Sequence, residues 1–324
     1  MTVKENVLLF LENNKGKFIS GNLLANKLDV SRNAIWKAIN SLREEGYEID
    51  SVKNKGYCLL EENFILSKQS IGRYLNTYNL DIEVNKTLDS TNDFLKKYAK
   101  KNSKEGKIII AEEQTQGKGR LGKSFYSPAN SGIYLSILLK PNLHASQALY
   151  ITTCAAVAVS KAIDKISGEN SQIKWVNDIF LNNKKVCGIL TEASFDLEGG
   201  SMDYAILGIG LNLTRPSDDF PEDIRDIAGY IFHNDNLPKD YKNKVIAEII
   251  NNFFEYYPTI ENKEFLKDYK KRSLILNKPI YIFRGAKTEE ATALDIDNEF
   301  RLKVLKKNGE IEYLSSGEVS IRKK

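Results

Sequence analysis

Residues 116–128 read QGKGRLGKSFYSP and set Gly117, Gly119 and Gly122 among Lys118, Arg120 and Lys123. Glycine permits positive φ and lets the main chain approach a ligand closely. Three cations beside such a backbone suit a phosphate or a carboxylate. This is no P-loop, because no Gly-Lys-Ser/Thr follows and no helix opens behind it. Spacing alone leaves both a phosphate-binding loop and a solvated loop open. Further on, QIKWVNDIF places Lys174 at the end of a short strand beside Trp175, with Asn177 and Asp178 in the turn that follows. A lysine so placed is a candidate clamp for a transferring phosphoryl group. The alternative is a surface lysine whose apolar stem lies on Trp175. In DSTNDFLKKYAK, Ser90 or Thr91 caps a helix and leaves N–H groups and a hydroxyl for an anion or polar ligand. A plain cap is the simpler reading. YAILGIGLNL (204–213) is an apolar strand broken by Gly208 and Gly210, which marks a bulge or a backbone that a ligand approaches.

Composition narrows the chemistry. His144 and His233 are the only histidines in 324 residues, which argues against a histidine-based triad or a histidine-rich metal site. Cys58, Cys154 and Cys187 are odd in number and widely spaced, so a reducing compartment is expected, without disulfides or a zinc cluster. The net charge of +4 is too mild to imply a nucleic-acid partner by itself, so any basic site must be local. No apolar run approaches the roughly 18–20 residues that span a bilayer. YITTCAAVAV is too short, and the N-terminus lacks the core and cleavage site of a signal peptide. A cytoplasmic protein without membrane contact is expected.

Three segments must position these residues. In 1–62, Val3, Val7, Leu8, Phe10 and Leu11 follow a helical period. Ser20 caps a second short helix, and Ser31 caps a third that Gly46 closes. Two short helices joined by a tight turn are a helix-turn-helix signature, and the strands at YEIDSV and GYCLL, turned by KNKG, add a wing. Ile35, Ile39 and Leu42 face inward, which leaves Arg32, Asn33, Trp36, Lys37 and Asn40 for base edges and phosphates. The segment holds nine cations and nine acids, but the signs separate: Lys15, Lys17, Lys27, Arg32, Lys37, Lys53 and Lys55 are expected on the DNA side. Residues 61–70 read as a linker. Residues 63–272 form the central α/β segment with a mixed sheet, closed by a helical stretch over 239–271. From residue 273 onward, short strands at close spacing read as a small β-barrel.

The motifs DSTN, EEQTQGKGRLGKSF, KWVNDI with KKVCGILTE, and GIGLN occur in the order and context of the biotin–protein ligases. With the N-terminal SGNLLANKLDVSRNAIWKAINSLREEGYEIDSVKNKGYCL, nearly the whole chain resembles the bifunctional type, ligase and biotin operon repressor in one polypeptide. The resemblance implies an α+β multidomain chain: a winged helix-turn-helix (1–62), a class II synthetase-like catalytic domain (63–272) and an SH3-like barrel (273–324). It implies ATP and biotin as substrates, Mg²⁺ on the phosphates, and biotinyl-5′-AMP as both intermediate and corepressor. Lys174 and Arg120 would be catalytic. Biotin would meet Ser90, Thr91, Asn92, Gln114, Lys118, Gly119, Arg120, Lys174, Gly208 and Gly210, with the two strand glycines lying flat beneath it. The nucleotide would meet Gly117, Lys118, Arg120, Phe125, Asn177, Asn212 and Arg322. Asp178 would orient Lys174, contact Mg²⁺ indirectly or help deprotonate the incoming amine. Ser31, Arg32, Asn33, Trp36, Lys37, Asn40, Lys53 and Lys55 would bind operator DNA. The implied partners are the biotin carboxyl carrier domain of acetyl-CoA carboxylase, operator DNA and a second copy of the chain, recruited by the adenylate. The sequence departs from the usual glycine loop at Lys118, where arginine is customary, while the aromatic at Phe125 matches a position where tryptophan often stands. A lipoate-type ligase and a non-catalytic biotin-sensing repressor are the alternatives.

Overall fold

In a capping box the Glu5 N–H donates to the Thr2 hydroxyl and the Thr2 N–H to the Glu5 carboxylate, so the first helix, α1 (Val3–Glu12), starts where its orphan N–H groups find acceptors. Ser20 caps α2 (Gly21–Leu28) and Ser31 caps α3 (Arg32–Glu44) more simply, each hydroxyl oxygen accepting from one backbone N–H, of Leu23 and Ala34. Asp29 turns the chain between them in the left-handed region. The wing is the antiparallel pair β1 (Ile49–Val52) and β2 (Gly56–Leu59). Gly56 has φ +104°, and a Cβ there would lie 2.0 Å from the Ile19 carbonyl, so the wing requires glycine at this point. Val7, Leu11, Leu24, Ile35, Ile39, Leu42 and Leu59 form one apolar core.

The computed structural model describes residues 2–62, 64–76, 80–99, 103–196, 200–233, 237–285, 287–315 and 320–323. The chain divides into two compact units, residues 1–78 with 236–247, and residues 79–235 with 248–324. The stretch read as a linker is folded into the first unit. Ile65 packs on the winged-helix core. Ser67 caps α4 (Lys68–Gly72), and Ser70 and Arg73 reach the fully buried Glu12 of α1 at 2.8 and 3.1 Å. Asn243 donates to the Ile65 carbonyl and accepts from the Ser67 N–H.

The second unit is built on a seven-stranded sheet: β3 (Asp81–Leu88), β4 (Lys107–Gln114), β5 (Gly132–Leu139), β6 (Gln172–Lys174), β7 (Asp178–Leu181), β8 (Lys184–Phe195) and β9 (Met202–Asn212). Their order is β3-β4-β5-β9-β8-β7-β6. Only β3 and β4 are parallel, as their connection through the helix α5 (Thr91–Ala99) requires. Leu95 and Ala99 of α5 pack on Ile109, Leu138 and Ile206. Along β8 and β9 this same face carries Gly188, Leu190, Glu192, Gly208 and Gly210, because strand side chains alternate. The long helix α6 (Ala148–Ser167) lies on the other face, where Thr152 donates to Thr191 at 2.8 Å. Asn182 and Asn183 join β7 to β8 with φ of 50° and 63°, the geometry of a tight two-residue hairpin.

Three helices follow: α7 (Glu222–Arg225), α8 (Tyr241–Tyr256), which crosses the division between the units, and α9 (Leu266–Lys271). The C-terminal strands β10 (Pro279–Arg284), β11 (Lys287–Ile296), β12 (Leu302–Lys306), β13 (Ile311–Leu314) and β14 (Ser320–Lys323) make an antiparallel sheet of order β13-β12-β11-β10-β14. No helix among the described residues is long and apolar enough to cross a membrane.

Candidate functional site

The glycine segment is a short hairpin that leaves β4. Phe125 N–H donates to the Gly117 carbonyl at 2.9 Å, and Gly119 N–H to the Lys123 carbonyl at 2.7 Å. At its tip Leu121 is 73% exposed and in the left-handed region. A Cβ on Gly117 would lie 2.3 Å from the Phe125 carbonyl, so this glycine serves close approach, whereas Gly119 has ordinary extended φ and no severe contact. Of the three loop glycines only Gly122 has positive φ.

This hairpin closes over a cavity whose wall is the glycine-bearing face of β8 and β9. Ser90, Thr91, Asn92, Gln114, Lys118, Gly119, Arg120, Phe125, Lys174, Asn177, Asp178, Gly208 and Gly210 all line it. The two strand glycines do not lie bare. A Cβ on Gly208 would sit 2.2 Å from Asn92 Oδ1, and one on Gly210 would sit 2.5 Å from the Phe125 ring. They make room for these two side chains while still lining the cavity.

Each polar group at this face is held by another. Ser90 caps α5 by accepting from the Asp93 N–H at 3.4 Å, while Thr91 N–H donates to Gln114 Oε1 at 2.9 Å. Gln114 Nε2 donates to Ser127 at 3.1 Å, and Ser127 to the Phe125 carbonyl at 2.9 Å, so Gln114 ties the helix to the stem of the hairpin. Lys118 Nζ lies 2.6 Å from Asp93, which keeps this cation at the rim. The Asp93 carboxylate raises the Lys118 pKa further, though burial works against it.

At the opposite end Arg120 donates to Asn177 Oδ1 at 3.0 Å, and Asn177 Nδ2 to the Ile189 carbonyl at 2.7 Å. Burial pulls the Arg120 pKa down and Asp178 opposes the shift, so the guanidinium stays charged in a partly dry site. The turn that carries Lys174, Asn177 and Asp178 is gripped from behind. Tyr269 O–H donates to the Val176 carbonyl at 3.0 Å, and the buried Trp175 indole N–H donates to the Phe300 carbonyl at 2.9 Å. Trp175 is therefore anchored in the core and is no platform for the Lys174 stem, which lies with its amine 5.7 Å from the Phe180 ring centre.

Lys185 was not legible as a site residue. It lines the cavity with its amine 2.7 Å from Asp178 Oδ1. Asp178 is thereby paired. No group of three metal-binding side chains occurs among the described residues. Three expected residues stand apart from the cavity wall. Gly117 is in the hairpin stem, and Asn212 donates to the Gly229 carbonyl at 2.9 Å. Arg322 pairs through its backbone with Tyr281, and its side chain is outside the described residues.

On the winged helix, Ser31, Arg32, Asn33, Trp36 and Lys37 are exposed, and Trp36 keeps 55% of its surface open. Arg32 is braced by Asn22, while Lys53 and Lys55 are exposed in the wing. Lys15 is corrected: its side chain folds inward, 3.8 Å from Glu12, with 6% exposure.

Comparison with known proteins accounts for this pairing of a DNA-reading fold with a cationic cavity. Residues 84–212 match the biotin/lipoate A/B protein ligase family, and residues 3–58 match a helix-turn-helix domain. The bifunctional ligase/repressor BirA of Bacillus spizizenii is 36% identical over 229 residues, which is 70% of each chain. The chain belongs to the bifunctional ligase/repressor family. Its Escherichia coli member, BirA, is 28% identical over 99% of this chain and 98% of its own. Among solved structures of the ligases, that of Aquifex aeolicus with biotin and ATP superposes with a TM-score of 0.61 at 28% identity, and covers 75% of this chain and 99% of that one. Within this ligase/repressor family, then, the cavity belongs to the ligase match and the exposed face of α3 to the helix-turn-helix match.

Proposed function

We propose that the cavity binds biotin and ATP, forms biotinyl-5′-AMP and transfers biotin to a lysine of a biotin carboxyl carrier domain. The observation that carries this is the convergence of two unlike ends on one cavity. Thr91, Asn92 and Gln114 make a polar floor, while Lys118, Arg120, Lys174 and Lys185 bring positive charge. A biotin carboxylate oxygen attacks the α-phosphorus of ATP, a P–O bond forms, and the bond to the leaving pyrophosphate breaks. Such a displacement needs charge neutralisation more than covalent help. Arg120, Lys174 and Lys185 are placed to give it, with Asp178 orienting Lys185. The donor set fits a magnesium ion carried on the phosphates better than one caged by protein, because Asp178 is the one carboxylate lining the cavity and is already paired. When bound, the ion withdraws charge from the phosphate oxygens. The carrier amine then attacks the mixed anhydride carbonyl; the amide forms, AMP leaves and the nitrogen gives up a proton.

Residues 1–62 bind operator DNA, with Arg32, Asn33, Trp36, Lys37 and Asn40 on α3 and Lys53 and Lys55 in the wing. Biotinyl-5′-AMP acts as corepressor by favouring a homodimer. Incubation with ATP, biotin and a carrier domain, read by avidin blot, tests the ligase. Arg120→Ala and Lys185→Ala are expected to lose about 10²-fold or more in adenylation, the scale of removing one preorganised donor. Lys174→Ala ranks the two lysines. Pyrophosphate release at the wild-type rate by folded Lys174→Ala and Lys185→Ala proteins would remove both from the mechanism.

A further inference from the structure

Ser136 is a fully buried serine on the middle of β5, between α5 and the cavity wall. Its Oγ lies 2.7 Å from Thr91 Oγ1 and 2.6 Å from Asn92 Oδ1. One hydroxyl carries one proton, so Ser136 cannot donate along both lines. The direction is set from outside the cavity. Glu192 is paired with Lys96 at 2.6 Å, so its carboxylate only accepts, and it takes the Asn92 Nδ2 proton at 2.8 Å. With its nitrogen turned to Glu192, Asn92 offers its oxygen to Ser136. The Ser136 proton must go there. The Thr91 hydroxyl has two acceptors in reach, Ser136 at 2.7 Å and Gln114 Oε1 at 3.0 Å; the Thr91 N–H already serves Gln114 Oε1 at 2.9 Å, whereas the Thr91–Ser136 line has no other proton, so the Thr91 proton goes to Ser136 and its lone pairs are left to accept. At the far side Gln114 is fixed in the same sense, with its nitrogen on Ser127 and its oxygen toward Thr91. The empty space over Gly208 is what admits Asn92 to this position.

We propose that Glu192 is a specificity-determining positioning residue: through Asn92 and Ser136 it locks the cavity floor as a hydrogen-bond acceptor. The chemical class selected is a ligand with N–H donors at its buried end, a cyclic urea, over an acid with a sulfur ring or plain hydrocarbon there. This rests on the ligase reading above and deepens it. No side chain of the relay beyond Thr91 and Asn92 lines the cavity, so its effect is carried by proton direction.

Glu192→Gln is nearly isosteric and frees Asn92 to turn its amide around. Wild type, Glu192→Gln, Ser136→Ala and the double variant are compared by calorimetric biotin binding, and by the ratio of turnover with biotin to turnover with lipoic acid. Glu192→Gln is expected to weaken biotin about tenfold, the scale of one buried hydrogen bond lost, and to lower the biotin-to-lipoate ratio similarly, with the KM for ATP unchanged. In the Ser136→Ala background the further loss is expected to fall below about threefold, because the relay is already cut. Lys96→Met, which removes the ion pair but keeps the carboxylate on Asn92, is expected to retain the wild-type ratio. Unchanged biotin affinity in Glu192→Gln, full additivity with Ser136→Ala, or the same loss in Lys96→Met would each overturn the proposal alone. A wild-type protein that binds no biotin would overturn the ligase reading and this proposal with it.

Discussion

Phe125 shows how a single residue ties the hairpin to the sheet. Its ring lies over paired strand residues Gly188 and Gly210, with a Cβ on either coming within 3.1 or 2.5 Å of it. Gly210→Ala would push the ring off this seat, and with it the hairpin that carries Lys118 and Arg120. Turnover is expected to fall on the order of 10²-fold, the scale of misplacing a reacting group by about 1 Å. Release of biotinyl-AMP to solution is expected to rise, since a displaced loop no longer shields the anhydride. Rapid filtration of enzyme loaded with labelled biotin and ATP measures that release, and a wild-type rate would dismiss the seat. The glycines themselves were legible, because two glycines in an apolar strand demand a reason. What fills the space was not, since Phe125 is 63 and 85 positions along the chain from Gly188 and Gly210, and Asn92 is 116 from Gly208.

At the scale of elements, the turn between β6 and β7 depends on groups supplied from far along the chain. Phe300 stacks on Phe265 at 5.4 Å and meets Tyr150 and Tyr269 edge-on, which fixes the carbonyl that receives the Trp175 N–H. Tyr269 is buried, and burial pushes its pKa far above the usual tyrosine value, so it stays a neutral donor to the Val176 carbonyl. Tyr269→Phe keeps the packing and leaves that buried carbonyl unpaired, at a cost of about 1–3 kcal/mol. If the turn positions the nucleotide end, the KM for ATP is expected to rise about tenfold while biotin affinity holds, because Thr91 and Gln114 sit on other elements. Equal losses for both substrates would make Tyr269 a general stability residue. The helices and their caps were readable because helix signals are local. Lys185 was not, because a register shift between Ile179 and Phe180 sets where it falls against β7. Such an irregularity leaves no mark in residue spacing.

For the whole molecule, the division of the chain governs what a truncation does. A chain beginning at Phe64 loses Glu12 and the core beneath Ile65, so Ser70 and Arg73 lose their bonds to that carboxylate, while Asn243 still holds Ile65 and Ser67. One beginning at Asp81 removes α4 as well. Both are expected to lose operator binding and to keep biotin transfer, since no proposed cavity residue precedes Ser90; the shorter chain should be the less prone to aggregate, which light scattering would measure. The last prediction concerns assembly. One winged helix meets one half-site, so a useful repressor needs two copies on a pseudo-palindrome. Two segments of the sheet are candidates for a pairing edge, GILTEASF (188–195) in β8 and MDYAILGIGLNL (202–213), which covers β9. β9 is interior, between β5 and β8, and cannot serve. β8 differs: β7 covers it only through Gly188, so from Leu190 to Phe195 it has β9 on one side and no strand on the other among the described residues. Such an edge can pair with its copy. Glu192 and Leu190 lie on this stretch, one in the relay to Asn92 and the other in the cavity wall, so a filled cavity and an ordered edge favour each other. Biotinyl-AMP is therefore expected to promote a homodimer, and by linkage the dimer holds the adenylate more tightly by the same free energy, about 1–3 kcal/mol. Operator affinity should rise with it and fall steeply with salt. Sedimentation with and without biotin plus ATP decides the matter: an unchanged monomer–dimer equilibrium, or a constant dimer whose operator affinity ignores biotin, rules out the coupling.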